Sequence, residues 1–573
     1  MSTKTIQDVR PYARTTQKPL ALGAFLLAAV GCSGNIANTT ADGEQGGSGD
    51  GDFAQDDPMG GSGGNAALEA CKGDPSVATG LWRRLTASQY TNTVKDLLGQ
   101  TPDTMGLVLD SRTGAFKTNA RSVQEGDVDA YDTMAQKLAA SAVGNLNGLL
   151  GCDTKTTGED KCAAQFIKTF GARAYRRPLK SEEETAFNTV YTTGKEENFS
   201  AGIRLIVQAM LTSPSFLYMV ETGTSSQFGL RKLSGYEVAS RLSYTLIGTM
   251  PDAALFDAAG KGQLDSLDGV KQYAKKLIDS EKFIGSATEF HIQLSGVDVV
   301  TDASVGKGGK FPEFNDAMRA AMLDEPRKFV NYVMTKGGGT IEEMLSANYV
   351  FPAGPLAKVY GGQLKPDGDG RAEVADGSRR GLLTLAGVQA SHPKQYSPRM
   401  AVNRGHLVRR DFLCEEVPAA TGQVDFTLPP NAEKMTAQEL LREHQTNPTC
   451  KGCHELMDSI GFGFESYDAL GAYRTKDDGG NTINPSGEIV NLEGGTAKFE
   501  NAGKLAETLS TSPQVRSCMA TQWMRFSLGR DVGDEDACSQ QRLAQAFTNG
   551  KGNIKEALLS LATSDSFRFN RGE

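Results

Sequence analysis

The sequence predicts a mainly α, multi-helical protein of several domains. Recurrent helix-start signals, apolar residues at helical spacing and a scarcity of strand alternation all point the same way. Leu85-Thr86-Ala87-Ser88-Gln89, Leu233-Ser234-Gly235-Tyr236-Glu237 and Met435-Thr436-Ala437-Gln438-Glu439 each place Gln or Glu three residues after a Ser or Thr. In such a capping box the hydroxyl accepts from the N3 amide, and the Gln or Glu side chain reaches back to the N-cap amide. Ser181 with Glu184 makes a fourth box. Tyr90, Val238 and Leu440 stand where a hydrophobic staple needs them. Tyr90, Val94, Leu97 and Leu98 then run at helical spacing to Gly99, and Val238, Leu242 and Leu246 to Gly248. Gly-rich loops are expected around 300–310, 361–378 and 475–497. The start signal is shared, but nothing else recurs at a fixed period, so no true repeat is read.

At the N-terminus, Lys4, Arg10, Arg14 and Lys18 precede an apolar run from Leu20 to Val30, too short to span a membrane. The run ends in Ala29-Val30-Gly31-Cys32-Ser33, which is similar to a bacterial lipobox with Leu replaced by Ala29. Residues 1–32 are therefore expected to be a lipoprotein signal peptide, with Cys32 lipidated; the alternative is a plain cleaved signal. Residues 33–66 are rich in Gly, Ser and Asp, carry no Lys or Arg, and read as a disordered tether. Such a chain spans roughly 30–35 Å. The expected location is outside the cytoplasm, on the outer membrane or cell surface, with the membrane as a partner through the lipid anchor. The formal charge of −9 argues against nucleic acid as a partner. Helical domains are expected at 67–155, 156–225, 226–357 and 477–573, around a further module at 376–476.

That module holds Cys450-Lys451-Gly452-Cys453-His454. C-x-x-C-H is the attachment pattern of c-type haem. Positions i, i+3 and i+4 share one helical face, so both thiols reach one porphyrin edge and His454 is carried under the iron. The composition gives an accidental match in about one chain in a thousand. A zinc site with a second His, or a disulfide or redox pair, are the other readings; no second C-x-x-C favours a zinc ribbon. The expectation is one covalent haem c in a cytochrome c-like module. Met457 shares the helical turn of His454 and so cannot supply the opposite axial ligand. His291, His392, His406 and His444 are the remaining histidines; His444 is the preferred sixth ligand, ahead of His392, Met400, Met519 and Met524. Arg474 is a candidate partner for a haem propionate. Glu465 and Asp468 are weaker acid–base candidates, better read as loop caps. Asp367-Gly368-Asp369-Gly370 lacks the acids of an EF-hand and reads as a solvated loop.

Setting aside Cys32, Cys450 and Cys453 leaves Cys71, Cys152, Cys162, Cys414, Cys518 and Cys538. Three disulfides are expected in an exported body. Proximity in sequence favours Cys152–Cys162 and Cys518–Cys538, which leaves Cys71–Cys414.

Five further groups of motifs carry a family resemblance. They are Arg83-Arg84-Leu85-Thr86 with Val94-Lys95-Asp96-Leu97-Leu98-Gly99; Ala174-Tyr175-Arg176-Arg177-Pro178-Leu179; Leu211-Thr212-Ser213-Pro214-Ser215-Phe216-Leu217-Tyr218 with Tyr236–Tyr244; Ser397-Pro398, Arg404-Gly405, Leu413-Cys414 and Gly461–Arg474; and Trp523 through Ser527-Leu528-Gly529-Arg530 with Ser566-Phe567-Arg568. In this order the chain resembles exported bacterial proteins built from domains of unknown function numbered 1587, 1595, 1592, 1588 and 1585. The resemblance implies a surface or periplasmic protein with a cytochrome c-like module and assigns no activity. Two departures stand out. Ser459 follows Asp458 where the family has Pro, which is expected to loosen the turn after the motif helix. Asn484 stands where an Asp is usual, which weakens any acid-dependent role there.

The functional expectation is a lipid-anchored, extracytoplasmic c-type cytochrome-like protein in electron transfer, with an unknown redox partner. A haem-dependent oxidoreductase is the second reading. A haem-free binding or scaffold lipoprotein with a structural Cys pair is the third.

Overall fold

The helix starts form where the hydroxyls stand. Thr86 Oγ1 accepts from Gln89 N at 3.2 Å, and Gln89 Oε1 accepts from Thr86 N at 3.1 Å. Helix Ala87–Leu98 begins there and ends on Gly99, whose φ of 70° suits the residue. Ser234 with Glu237 opens helix Gly235–Ile247, and Thr436 with Glu439 opens Ala437–Thr446, in the same way. A cap of this kind is worth about 1 kcal/mol. The fourth box is displaced by one residue. Lys180 is the N-cap of helix Ser181–Lys195, and Glu183, not Glu184, accepts from its amide at 2.8 Å. Arg177, which pairs with Glu183 through both oxygens, explains the shift.

The computed structural model describes residues 71, 76–80, 82–104, 106–107, 110–118, 124–225, 229–302, 310–391, 399–417, 432–446 and 448–571. Cys32, the signal segment, the tether and His392 lie outside them. Ser62–Glu573 is one compact unit. The described residues are mainly helical, with strands of two to six residues paired antiparallel in small sheets. One hydrophobic core gathers Tyr90, Phe166 and Phe216; a larger one gathers Leu242, Phe290 and Trp523. No helix among the described residues is long and apolar enough to cross a membrane.

One helical module occurs twice, against the expectation of no repeat. In copy one, strand Arg83–Arg84 leads into the Thr86 cap and pairs with Tyr218–Met219, Arg84 opposite Tyr218. Leu85 N donates to Leu217 O at 2.8 Å. In copy two, strand Leu230–Lys232 leads into the Ser234 cap and pairs with Phe569–Arg571, Lys232 opposite Phe569. Leu233 N donates to Arg568 O at 3.0 Å. The interiors correspond as well. Helix Glu159–Tyr175 ends on Arg176 at φ 58°, and helix Pro513–Leu528 ends on Gly529 at φ 66°. Arg177 then pairs with Glu183, six residues on, as Arg530 does with Asp536, each through two nitrogens. Each copy closes through an N-capping Ser, Ser213 or Ser564, into a four-residue helix. Copy one carries residues 99–158 between its first two corresponding helices. Copy two carries residues 248–512 there, including C-x-x-C-H. That unequal insertion removes any fixed period from the sequence.

Three disulfides are present: Cys71–Cys538, Cys152–Cys162 and Cys414–Cys518. The number and the Cys152–Cys162 pairing agree with expectation. The proposed Cys518–Cys538 and Cys71–Cys414 pairs do not form. Cys518 sits on the helix side that meets Asp411, whose carbonyl also takes Gln522 Nε2 at 3.0 Å, and this brings it to Cys414. Cys538 opens the next helix, where Arg542 holds the Cys71 carbonyl at 2.6 Å.

Candidate functional site

Cys450, Cys453 and His454 lie on helix Pro448–Phe462. Two glycines seat that helix against Arg399–Leu407. A Cβ on Gly405 would lie 1.9 Å from Met457 O, and one on Gly461 would lie 2.0 Å from Ala401 O. The higher number on one helix thus faces the lower on the other, so the pair is antiparallel and in backbone contact. The first helix continues as the turn Val408–Phe412, which carries the fully buried Arg409. Its Nε donates to Leu456 O at 3.1 Å, and one terminal nitrogen to Glu415 at 2.6 Å and Val490 O at 2.8 Å. That single guanidinium ties the motif helix to strand Gly487–Leu492.

Ser459 lies within the motif helix, before the turn it was expected to loosen. The helix runs unbroken to Phe462, and Ser459 Oγ accepts from Glu488 N at 2.8 Å. Asn484 serves as a turn residue, with its Oδ1 taking Ser486 N at 3.2 Å and Ser486 Oγ at 2.8 Å.

Arg404 fixes the chain after the helix. It is buried and donates to the carbonyls of Phe464, Tyr467, Gln389 and Asp468 at 2.9–3.1 Å. Burial lowers its pKa to about 10, so it stays charged at neutral pH. Glu465 lies buried in the field of that guanidinium. Asp468 caps the turn through Leu470 N at 2.8 Å and Ala472 N at 2.9 Å. Arg474 is held by Asp478 at 3.1 Å, a carboxylate also bound by Lys310.

Cys450 and Cys453 stand outside the disulfides as thiols, both partly exposed. His454 Nδ1 lies 3.0 Å from each carboxylate oxygen of Asp458, one helical turn on. The imidazole is 20 % exposed and the carboxylate fully buried. With the carboxylate as acceptor, Nδ1 is the donor, and in the neutral imidazole the lone pair is then on Nε2. A ligating His is held in this way in most metal sites. The donor set fits covalent haem: two accessible thiols at i and i+3, and a tautomerically fixed imidazole at i+4. When bound, haem supplies one-electron chemistry at its iron. No group of three or more His, Cys, Asp or Glu among the described residues is set to hold a metal ion.

The remaining ligand candidates separate by position. His444 is a position on helix Ala437–Thr446, and its side chain lies outside the described residues. Met400 neighbours Ala401, which meets Gly461, two turns from His454. Met519 and Met524 are buried in the larger core. Met457 is buried on the motif helix itself. His291 is a core residue, its Nδ1 2.8 Å from Ala287 O and its pKa lowered to about 4 by burial. His406 is half-buried, and burial with Arg410 lowers its pKa. The positioning residues Asp458, Arg409 and Gly405 were not assigned roles from the sequence. Asp458 was detectable there, since it stands at i+4 from His454.

Five family models match in series, each described as a protein of unknown function: DUF1587 at 83–144, DUF1595 at 162–221, DUF1592 at 233–361, DUF1588 at 379–477 and DUF1585 at 495–567. No curated protein and no solved structure matches the chain. The first two models cover copy one of the module, while copy two begins in the third and ends in the fifth. The chain is thus a serial array of these five domains, with C-x-x-C-H inside the fourth.

Proposed function

We propose that this is an exported, lipid-anchored electron-transfer protein carrying one haem c on Cys450, Cys453 and His454. The observation that carries the reading is the His454–Asp458 pair beside two thiols that stand outside the disulfides. Three disulfides elsewhere suit an oxidising compartment, where two thiols left outside them call for a purpose. Cys32 is the proposed lipid anchor, and residues 33–66 the proposed tether. His444 is the proposed sixth ligand and Arg474 the proposed propionate partner. A single haem cannot wire a chain of 573 residues, so an external redox partner is part of the proposal.

The test is expression in a host that matures c-type haem, followed by denaturing electrophoresis and a pyridine haemochrome assay. Haem that stays with the denatured chain, and is lost in Cys450→Ser with Cys453→Ser, supports the reading. A chain that leaves that host colourless refutes it. His444→Ala should convert a low-spin spectrum to high-spin; an unchanged spectrum would reject His444 alone.

A further inference from the structure

We infer that the cleft on one seam between the two copies of the module binds a small organic anion bearing a carboxylate or phosphate group. This is independent of the haem reading.

The copies face each other across two related seams. On one, Arg176 and Arg177, just after helix Glu159–Tyr175 of copy one, meet the first helix of copy two, Gly235–Ile247. Ser234, Tyr236, Glu237 and Ser240 line a cavity of about 390 Å³ there, with Arg176 and Arg177. On the other, Gly529, at the end of helix Pro513–Leu528 of copy two, meets the first helix of copy one, Ala87–Leu98. The corresponding residues Thr86, Ser88, Gln89 and Asn92 line a cavity of about 400 Å³ with Gly529. Both volumes suit a small ligand.

The seams have diverged. In the first, the Glu237 carboxylate accepts from Thr222 N at 2.6 Å and Gly223 N at 3.0 Å, on the chain leaving strand Tyr218–Met219. The protein's own backbone therefore serves the cavity. In the second seam the counterpart of Glu237 is the neutral Gln89, which bonds Thr86 N at 3.1 Å.

In place of a carboxylate, the second cavity has gathered cations. Arg83, Lys95, Lys117 and Lys282 line it against Asp96 and Glu289, in a chain whose formal net charge is −9. Asp96 is divided between Lys282 at 2.9 Å and Thr249 at 3.1 Å, and Lys117 reaches Asp298 at 3.1 Å. Arg83 donates to a neutral acceptor, Ser527 O, at 2.6 Å. The carboxylate in its field, Glu221, is bound by Arg241 through both oxygens at 2.6 Å. A cleft with an excess of one charge between low-dielectric walls concentrates ions of the opposite sign. Tyr244, Ile247 and Phe526 on its wall favour an organic anion over a bare one.

The test uses the full chain, with inorganic phosphate and succinate as probes, in calorimetry and thermal melts against sodium chloride at matched ionic strength. Saturable binding of at least one probe is expected. The one that binds identifies the group. Lys95→Gln and Lys282→Gln, on the cavity rim, should each weaken it about three- to tenfold without altering the circular dichroism spectrum. Arg83→Lys should weaken it further. Failure of both probes to saturate, or affinity unchanged in the Lys95→Gln, Lys282→Gln double variant, overturns the proposal.

Discussion

The buried carboxylate of Asp458 receives the Nδ1 proton of His454 through two equal contacts of 3.0 Å. A carboxylate in this position pushes electron density onto the imidazole and makes Nε2 a stronger donor. A stronger donor favours the oxidised metal. In the haem-loaded protein, Asp458→Asn should therefore raise the reduction potential while the thioether bonds hold the cofactor in place. Spectroelectrochemistry checks this, and a lowered potential would contradict the role given to Asp458.

Gly461→Ala should destabilise the site from a distance. The new Cβ would lie 2.0 Å from Ala401 O, a backbone atom that cannot rotate away. Separating the two helices should cost about 1–3 kcal/mol. A thermal melt of the apo chain reads the loss, and a melt equal to that of the wild type would show that the close crossing does not form.

Peptide mapping of the unreduced protein should recover Cys71 joined to Cys538 and Cys414 joined to Cys518. A peptide joining Cys518 to Cys538 would restore the pairing by proximity and contradict the helix arrangement around Asp411.

These cases show what the sequence could and could not disclose. Caps at Thr86, Ser234 and Thr436 were legible because the interacting groups lie three residues apart. The box at Ser181 slipped by one because Arg177 recruits Glu183, a pairing the box pattern does not encode. Cys71 and Cys538 are separated by 467 residues, and nothing local links them. The module repeat was hidden although its start signals were seen, because copy two is opened by residues 248–512. At the candidate site, the i, i+3, i+4 spacing disclosed the three motif residues. Arg404 and Arg409 act on carbonyls far along the chain, so their contribution became visible only in the fold.

A buried acid in the larger core gives a pH signature. Glu325 is fully enclosed, accepts from Phe351 N at 3.3 Å, and has its pKa raised to about 7, chiefly by burial. Its ordinary value is 4.5. The folded state thus binds a proton that the unfolded state has released between these two values. Stability from this group should fall as pH rises from about 4.5 and level off above about 7. Glu325→Gln should flatten that slope and be relatively more stable than the wild type at pH above 7. Denaturant titrations across the range check it; parallel pH profiles for both proteins would contradict it.

The most direct test of the central claim is the haem-to-chain ratio after denaturation and exhaustive washing of protein matured in a competent host. The account predicts one haem per chain, covalently retained, and none in Cys450→Ser with Cys453→Ser. A washed chain without haem, or with stoichiometric zinc and no Soret band, would contradict it.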